Sequence, residues 1–216
     1  MDVNYYQQRI LMVENQLIAR GISDINILEA FRKVPRELFV PNNLKKYAYL
    51  DRPLPIGYGV TISQPYVVAL MIELLNIDSS SRVLDIGTGS GYQAAILSKI
   101  CKEVVTIEII KPLYRETKKR LQHLGYSNSK CILGDGSKGY RELAPYDAII
   151  SAAATKGVPQ QWREQINNNG YIVFPQGRSL EQKLVRIQKN KSGYEREEYG
   201  VVSFVPLVKD GRGNRT

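Results

Sequence analysis

The stretch from Arg82 to Leu97, R-V-L-D-I-G-T-G-S-G-Y-Q-A-A-I-L, limits what this chain can become more than any other. Val83, Leu84 and Ile86 make a short aliphatic run, glycines follow at 87, 89 and 91, and an apolar segment from Ala94 to Leu97 begins at once. That order predicts a strand, a tight loop and a helix start. The glycines permit positive φ and let a ligand come close to the backbone, while the helix behind them offers unpaired N–H groups. The loop is a candidate cofactor cradle.

The segments around it repeat the alternation. V-V-T-I-E (104–108) reads as a second strand, and an amphipathic helix over about Leu113 to Leu124 ends at Gly125. Cys131 to Leu133 and Tyr146 to Ile150 read as further strands, ending in G-D-G and S-A-A-A. Pro159 and Trp162 open another helix, and a fifth strand over Tyr171 to Phe174 follows an Asn-Gly turn. Strands alternating with helices predict an α/β fold, doubly wound around a mostly parallel sheet. Gln182 to Gln188 and Tyr199 to Val205, around K-N-K-S-G, predict a C-terminal antiparallel hairpin.

Upstream, residues 3 to 20 carry Val3, Tyr6, Ile10, Val13, Leu17 and Ile18 at helical spacing, with Gly21 as the stop. Ser23 or Asp24 caps a second helix over Ile25 to Lys33, ended by Pro35. After R-E-L-F-V-P, the stretch from Asp51 to Tyr66 is rich in proline and glycine and predicts irregular backbone ahead of a helix from about Val67 to Leu75. On residue chemistry alone this is a connecting loop in which Ser63 caps the helix. The expected organisation is an N-terminal helical extension with a loop over 1–80 and a cofactor-binding core over 81–216, forming one catalytic domain.

A content of 43% apolar and 24% charged residues places the chain with globular proteins rather than disordered ones. Thirty Lys and Arg against 21 Asp and Glu give a net charge of +9, which admits an anionic partner. The cations run from Arg9 to Arg215 without one dominant cluster, the pattern of a solvated surface. Cys101 and Cys131 supply neither a disulfide framework nor metal-ligand spacing, so no metal is expected. The N-terminus lacks a basic region followed by an apolar core, and no apolar run reaches the length of a membrane span. A cytoplasmic monomer, apart from membranes, is the expectation.

The loop itself selects among cofactors. A dinucleotide fingerprint beginning at Gly87 requires glycine at 92, where Tyr92 stands, and no G-K-[ST] is present at Walker spacing. Asp85 leads the loop instead, a carboxylate that repels pyrophosphate and suits an amino group. Glu108 ends the second strand, where an acid can accept from ribose hydroxyls, and Asp135 ends the third. An ammonium, a diol and an adenine amine together describe S-adenosylmethionine.

This organisation resembles the class I methyltransferases. V-T-I-S-Q-P-Y (60–66), V-L-D-I-G-T-G-S-G-Y-Q-A-A (83–95), G-D-G (134–136), A-P-Y-D-A-I-I-S-A-A-A (144–154) and F-V-P-L (204–207) are similar, in that order, to the protein-L-isoaspartate O-methyltransferase family. The resemblance implies a Rossmann-like methyltransferase fold. It implies methyl transfer from S-adenosylmethionine to the free α-carboxylate of L-isoaspartyl residues in damaged proteins and peptides, with D-aspartyl acceptance left open and S-adenosylhomocysteine as the product. The resemblance also makes Ser63 the active-site residue, reversing its reading as a helix cap. Donor binding falls to Thr61, Ile62, Asp85, Gly87, Thr88, Gly89, Gly91, Glu108, Ile109, Asp135 and Gly136, and acceptor binding to Tyr58, Val60, Gln64 and Tyr66. The fifth strand opens N-N-N-G where the family usually turns on G-G, and Tyr66 stands where some members have histidine.

The chemistry agrees with that assignment. A carboxylate with a pKa near ~4 is already ionised at neutral pH and needs no general base. The only histidine, His123, sits near a helix C-terminus, where the helix dipole explains it. An RNA or tRNA methyltransferase is the alternative that the positive charge suggests, but S-A-A-A replaces the N/D-P-P-Y phrase of base methylation and no RNA-binding module is evident. No nucleic acid is expected as a partner.

Overall fold

The computed structural model describes residues 4–177 and 181–209. Helix α1 (Tyr5–Met12) starts where the Asn4 side chain accepts from the Gln7 N–H at 3.0 Å. The expected single helix over residues 3 to 20 is not uniform, and its first residue, Val3, lies outside the described range. The chain widens to a π turn over Val13–Leu17 and tightens to a 3-10 turn over Ile18–Arg20, ending at Gly21 with φ of 94°. Met12, Val13 and Leu17 are all buried along this irregular stretch. Helix α2 (Ile25–Lys33) is capped by Asp24, whose carboxylate accepts from the N–H groups of Asn26 and Ile27 at 2.7 and 3.2 Å.

The stretch expected to be irregular is more ordered than its prolines suggest. After two 3-10 turns (Arg36–Phe39 and Asn42–Tyr47), strands β1 (Leu54–Gly57) and β2 (Val60–Ile62) form a small antiparallel hairpin. Its tip, Gly57-Tyr58-Gly59, has three successive positive φ angles of 92°, 54° and 67°, which the two glycines make accessible. Helix α3 (Pro65–Glu73) has Pro65 in its first turn and Gln64 at the cap position with no side-chain cap bond. Ser63 is therefore not the cap, because the fixed φ of proline starts the helix without one.

The main sheet contains β3 (Arg82–Ile86), β4 (Glu103–Glu108), β5 (Ser129–Leu133), β6 (Tyr146–Ser151), β7 (Ile166–Gln176), β8 (Gln182–Asn190) and β9 (Gly193–Val202). Their order across the sheet is β5-β4-β3-β6-β7-β8-β9. The pairs from β5 through β7 are parallel, and those joining β7 to β8 and β8 to β9 are antiparallel. Helices α4 (Tyr92–Ser98), α5 (Lys111–His123) and α6 (Gln160–Gln165) alternate with the strands. One buried cluster joins the N-terminal helices to α4, and another packs Trp162 and Phe174 against the opposite face. The fifth strand begins at Ile166 rather than Tyr171. Between the pairs Tyr146↔Ile166 and Ala148↔Tyr171 the N-N-N-G run bulges out, with Asn169 at φ 65°. The last strand begins at Gly193, ahead of its expected start, because its charged E-R-E-E run pairs along β8 through backbone bonds.

Strand β3 has β4 on one side and β6 on the other. The strand order reverses there, and ligands of open α/β sheets collect outside the carboxyl ends of the strands at such a point. The glycine loop lies at that end of β3.

Candidate active site

The loop is tied to the next strand before it meets any ligand. The N–H groups of Gly87 and Thr88 both donate to the carbonyl of Ile107, at 2.9 and 3.1 Å. Gly91 precedes α4 with φ of 87°, and a Cβ there would lie 2.7 Å from Thr117 Cγ2, so helix α5 packs against bare backbone. The Thr117 hydroxyl donates to the Gly89 carbonyl at 2.7 Å.

Glu108, at the end of β4, is 5% exposed. One carboxylate oxygen accepts from the Gly89 N–H and the other from the Ile110 N–H, each at 2.9 Å. Burial raises its pKa, opposed by those backbone donors. Each oxygen keeps acceptor capacity for a further hydroxyl.

A cavity of about 320 Å³ opens beside this carboxylate. Gly87, Gly89, Glu108, Ile109 and Gly136 line it, as do Val60 and Thr61 from β2. The remaining wall is largely apolar: Ile86, Ile107, Pro112, Ala152 and Ala153, closed by the segment Val205 to Val208. That segment is held by reciprocal bonds, Ala154 N–H to the Val205 carbonyl and Leu207 N–H to the Ala154 carbonyl, each at 2.8 Å. At Gly136 a Cβ would come within 2.4 Å of Ile86 Cγ2, so the close passage under the cavity requires glycine.

Other expected donor residues lie behind this wall rather than in it. Asp85 is 0% exposed, and its oxygens accept from Gln93 Nε2 at 2.7 Å and Thr106 Oγ1 at 2.8 Å. Burial raises its pKa to about 6, against the two hydrogen bonds that lower it. The Thr88 hydroxyl meets that of Thr106 at 2.7 Å, so it serves the same buried chain. Asp135 is buried, and its carboxylate accepts from the Ser137 N–H at 2.8 Å. Ile62 is buried in the apolar core.

On the acceptor side, Ser63 follows the cavity wall formed by Val60 and Thr61, with its own carbonyl accepting from Arg36 Nη2 at 2.7 Å. Gln64 donates to Asp51 at 2.7 Å, and Arg20 donates to the same oxygen at 2.7 Å while its guanidinium stacks 3.3 Å over the Tyr66 ring. Tyr58 reaches across to α5, donating to Glu116 at 2.7 Å. Gln64, Tyr66 and Tyr58 thus brace the loop through their side chains. The S-A-A-A and F-V-P-L phrases were visible in the sequence, but their part in enclosing the cavity depends on the Ala154 bridge between distant segments.

The residues present fit S-adenosylmethionine. A buried acceptor-only carboxylate suits a diol, the isoleucine and alanine walls suit a flat heterocycle, and Lys111 is the only cation in the lining among the described residues, which argues against a polyphosphate. Among the described residues, no group of His, Cys, Asp and Glu could hold a metal, and no helix is long and apolar enough to cross a membrane.

Over most of its length the chain is similar to proteins of one enzyme family. A sequence model of the Protein-L-isoaspartate(D-aspartate) O-methyltransferase family matches residues 7–212. A Protein-L-isoaspartate O-methyltransferase of Picosynechococcus is 48% identical over 91% of this chain and 88% of its own, and one of Methanoculleus marisnigri is 47% identical over 94% and 92%. A solved Plasmodium falciparum structure, described as a beta-aspartate methyltransferase in complex with S-adenosyl-L-homocysteine, covers 97% of this chain and 100% of its own at 27% identity, with a TM-score of 0.81. On the match across residues 7–212 and on these relatives, the chain belongs to the protein-L-isoaspartate (D-aspartate) O-methyltransferase family.

Proposed function

We propose that the chain methylates the free α-carboxylate of L-isoaspartyl residues in proteins and peptides, with Ser63 holding that carboxylate and the cavity beside Glu108 holding the methyl donor. The observation that carries this reading is that one cavity is walled both by the glycine loop with Glu108 and by Val60 and Thr61, the residues leading into Ser63. S-adenosylmethionine, when bound, supplies an electrophilic methyl on a sulfonium.

The protein's share is binding and alignment. Glu108 accepts from the ribose hydroxyls, the bare backbone at Gly87, Gly89 and Gly136 admits the ligand closely, and the apolar walls exclude water. Asp85, one layer below, contributes negative potential toward a cationic ligand rather than a direct hydrogen bond. Thr88, Gly91 and Asp135 shape the loops, and Ile62 anchors the acceptor loop in the core. The Ser63 hydroxyl donates to the acceptor carboxylate and fixes its orientation. A stronger set of donors would stabilise the anion and lower its nucleophilicity, so proximity supplies the rate.

In this reading residues 1–80 bring the acceptor loop and 81–216 the donor site within one catalytic unit, and Tyr58, Gln64 and Tyr66 keep the loop in shape. A monomer acting in the cytoplasm, with neither nucleic acid nor membrane as a partner, completes the reading. The test is a radiolabelled methyl-transfer assay on an isoaspartyl peptide, its aspartyl twin and tRNA. Labelling of the isoaspartyl peptide alone is expected; equal labelling of the twins, or of tRNA only, refutes the assignment.

A further inference from the structure

Among the described residues, Arg36 is the largest charged side chain buried without an acidic partner. Its side chain is 0% exposed, and among the described residues it forms no ion pair. Burial lowers its pKa to about 10, so it remains a cation at neutral pH. Burying an unpaired charge costs stability unless its donors are well used, and cores generally avoid it.

Two donors of Arg36 go to carbonyls from two separate segments, while Nη1 is buried without a hydrogen-bond partner among the described residues. Nε donates to the carbonyl of Ala48 and Nη2 to that of Ser63, each at 2.7 Å. The guanidinium carbon lies 4.8 Å from the centroid of the Tyr92 ring. Tyr92 is the first residue of α4, directly after Gly91, and is itself 1% exposed, wedged edge-on against Phe31 and Phe39 at 6.0 and 5.6 Å. One planar group therefore touches the peptide that carries the acceptor serine and the residue that ends the donor loop. Fixing the Ser63 carbonyl fixes the plane of the following peptide and restricts the direction of the serine side chain. A lysine cannot reproduce this, since it offers a point charge rather than a fork.

We propose that Arg36 is a positioning residue for methyl transfer, holding the Ser63 peptide in register with Tyr92 so that the acceptor and donor loops move as one body. The proposal rests on the reading of Ser63 given above. A misplacement of about 1 Å at a reacting centre can cost about 100-fold in rate while binding is little changed.

The test compares Arg36→Lys, Arg36→Gln, Ser63→Ala and the double variant Ser63→Ala/Arg36→Lys, using full-length protein at a temperature where each is folded. For Arg36→Lys the expected result is a kcat for the isoaspartyl peptide lower by about 10- to 100-fold, with S-adenosylmethionine affinity by calorimetry and the peptide KM within roughly threefold of wild type. Arg36→Gln should be slower still, and if it does not fold, Arg36→Lys decides. Because Arg36 acts through Ser63, the double variant should be no slower than the slower single variant. Multiplying losses, a wild-type kcat in Arg36→Lys, or a kcat falling in step with donor affinity would overturn the proposal. Wild-type kcat in Ser63→Ala would instead remove Ser63 from the site, a separate failure with a separate signature.

Discussion

Asp85→Asn should make the protein more stable and a weaker binder. The wild-type carboxyl has a pKa of about 6 in the folded chain against 3.8 for an ordinary aspartate, so its ionised form at pH 7 carries a burial cost of about 3 kcal/mol. The folded state binds the proton more tightly than the unfolded one. Wild-type stability therefore falls as pH rises from about 4 to about 6 on account of this group. An asparagine amide is neutral across that range. Its nitrogen faces the Thr106 hydroxyl, which must then turn from donor to acceptor, and the Thr88 contact at 2.7 Å lets the hydroxyl pair reverse together. Allowing about 1–2 kcal/mol for that rearrangement leaves a net gain of about 1–2 kcal/mol at pH 7. For a chain of this length the gain raises Tm by roughly 2–8 °C. Thermal unfolding monitored by circular dichroism at pH 7, 6, 5 and 4 should show the advantage of the variant shrinking toward pH 4. In the same variant, calorimetry should find S-adenosylmethionine affinity lower by roughly tenfold, since a nearby negative charge is lost. Equal Tm at pH 7 together with an unchanged pH slope would refute the reasoning.

Glu108→Ala removes the acceptor for the Gly89 and Ile110 N–H groups as well as the carboxylate facing the cavity. Donor affinity by calorimetry should drop at least tenfold, and wild-type affinity would disprove the pocket assignment. Gly136→Ala places a methyl 2.4 Å from Ile86 Cγ2; chemical denaturation should show a loss of about 1–3 kcal/mol with an unchanged m-value, and no loss would mean that this approach relaxes freely.

The parts of the fold written in short-range pattern were legible. The glycine loop, the acid at the end of β4, the stops at Gly21 and Gly125 and the cap at Asp24 each depend on a few adjacent residues. The β1–β2 hairpin was hidden because Pro53, Pro55 and two glycines read as breakers, while its strands are too short to display alternation. The division of labour among the acids was equally out of reach. Asp85, Glu108 and Asp135 all end or nearly end parallel strands, yet only Glu108 borders the cavity, because the neighbouring Gln93 and Thr106 draw Asp85 inward. Arg36 gave no signal in the chain, since its partners Ala48, Ser63 and Tyr92 are brought to it by tertiary packing alone.

The wall built from Val205 to Val208 follows every strand of the main sheet in the chain. Synthesis therefore finishes the sheet before the cavity has its last side. A chain cut before Val205 keeps every strand of the main sheet but lacks one wall of the cavity. Because a ligand stabilises only the state that binds it, added donor should raise the Tm of the whole chain and leave that of a chain cut before Val205 unchanged.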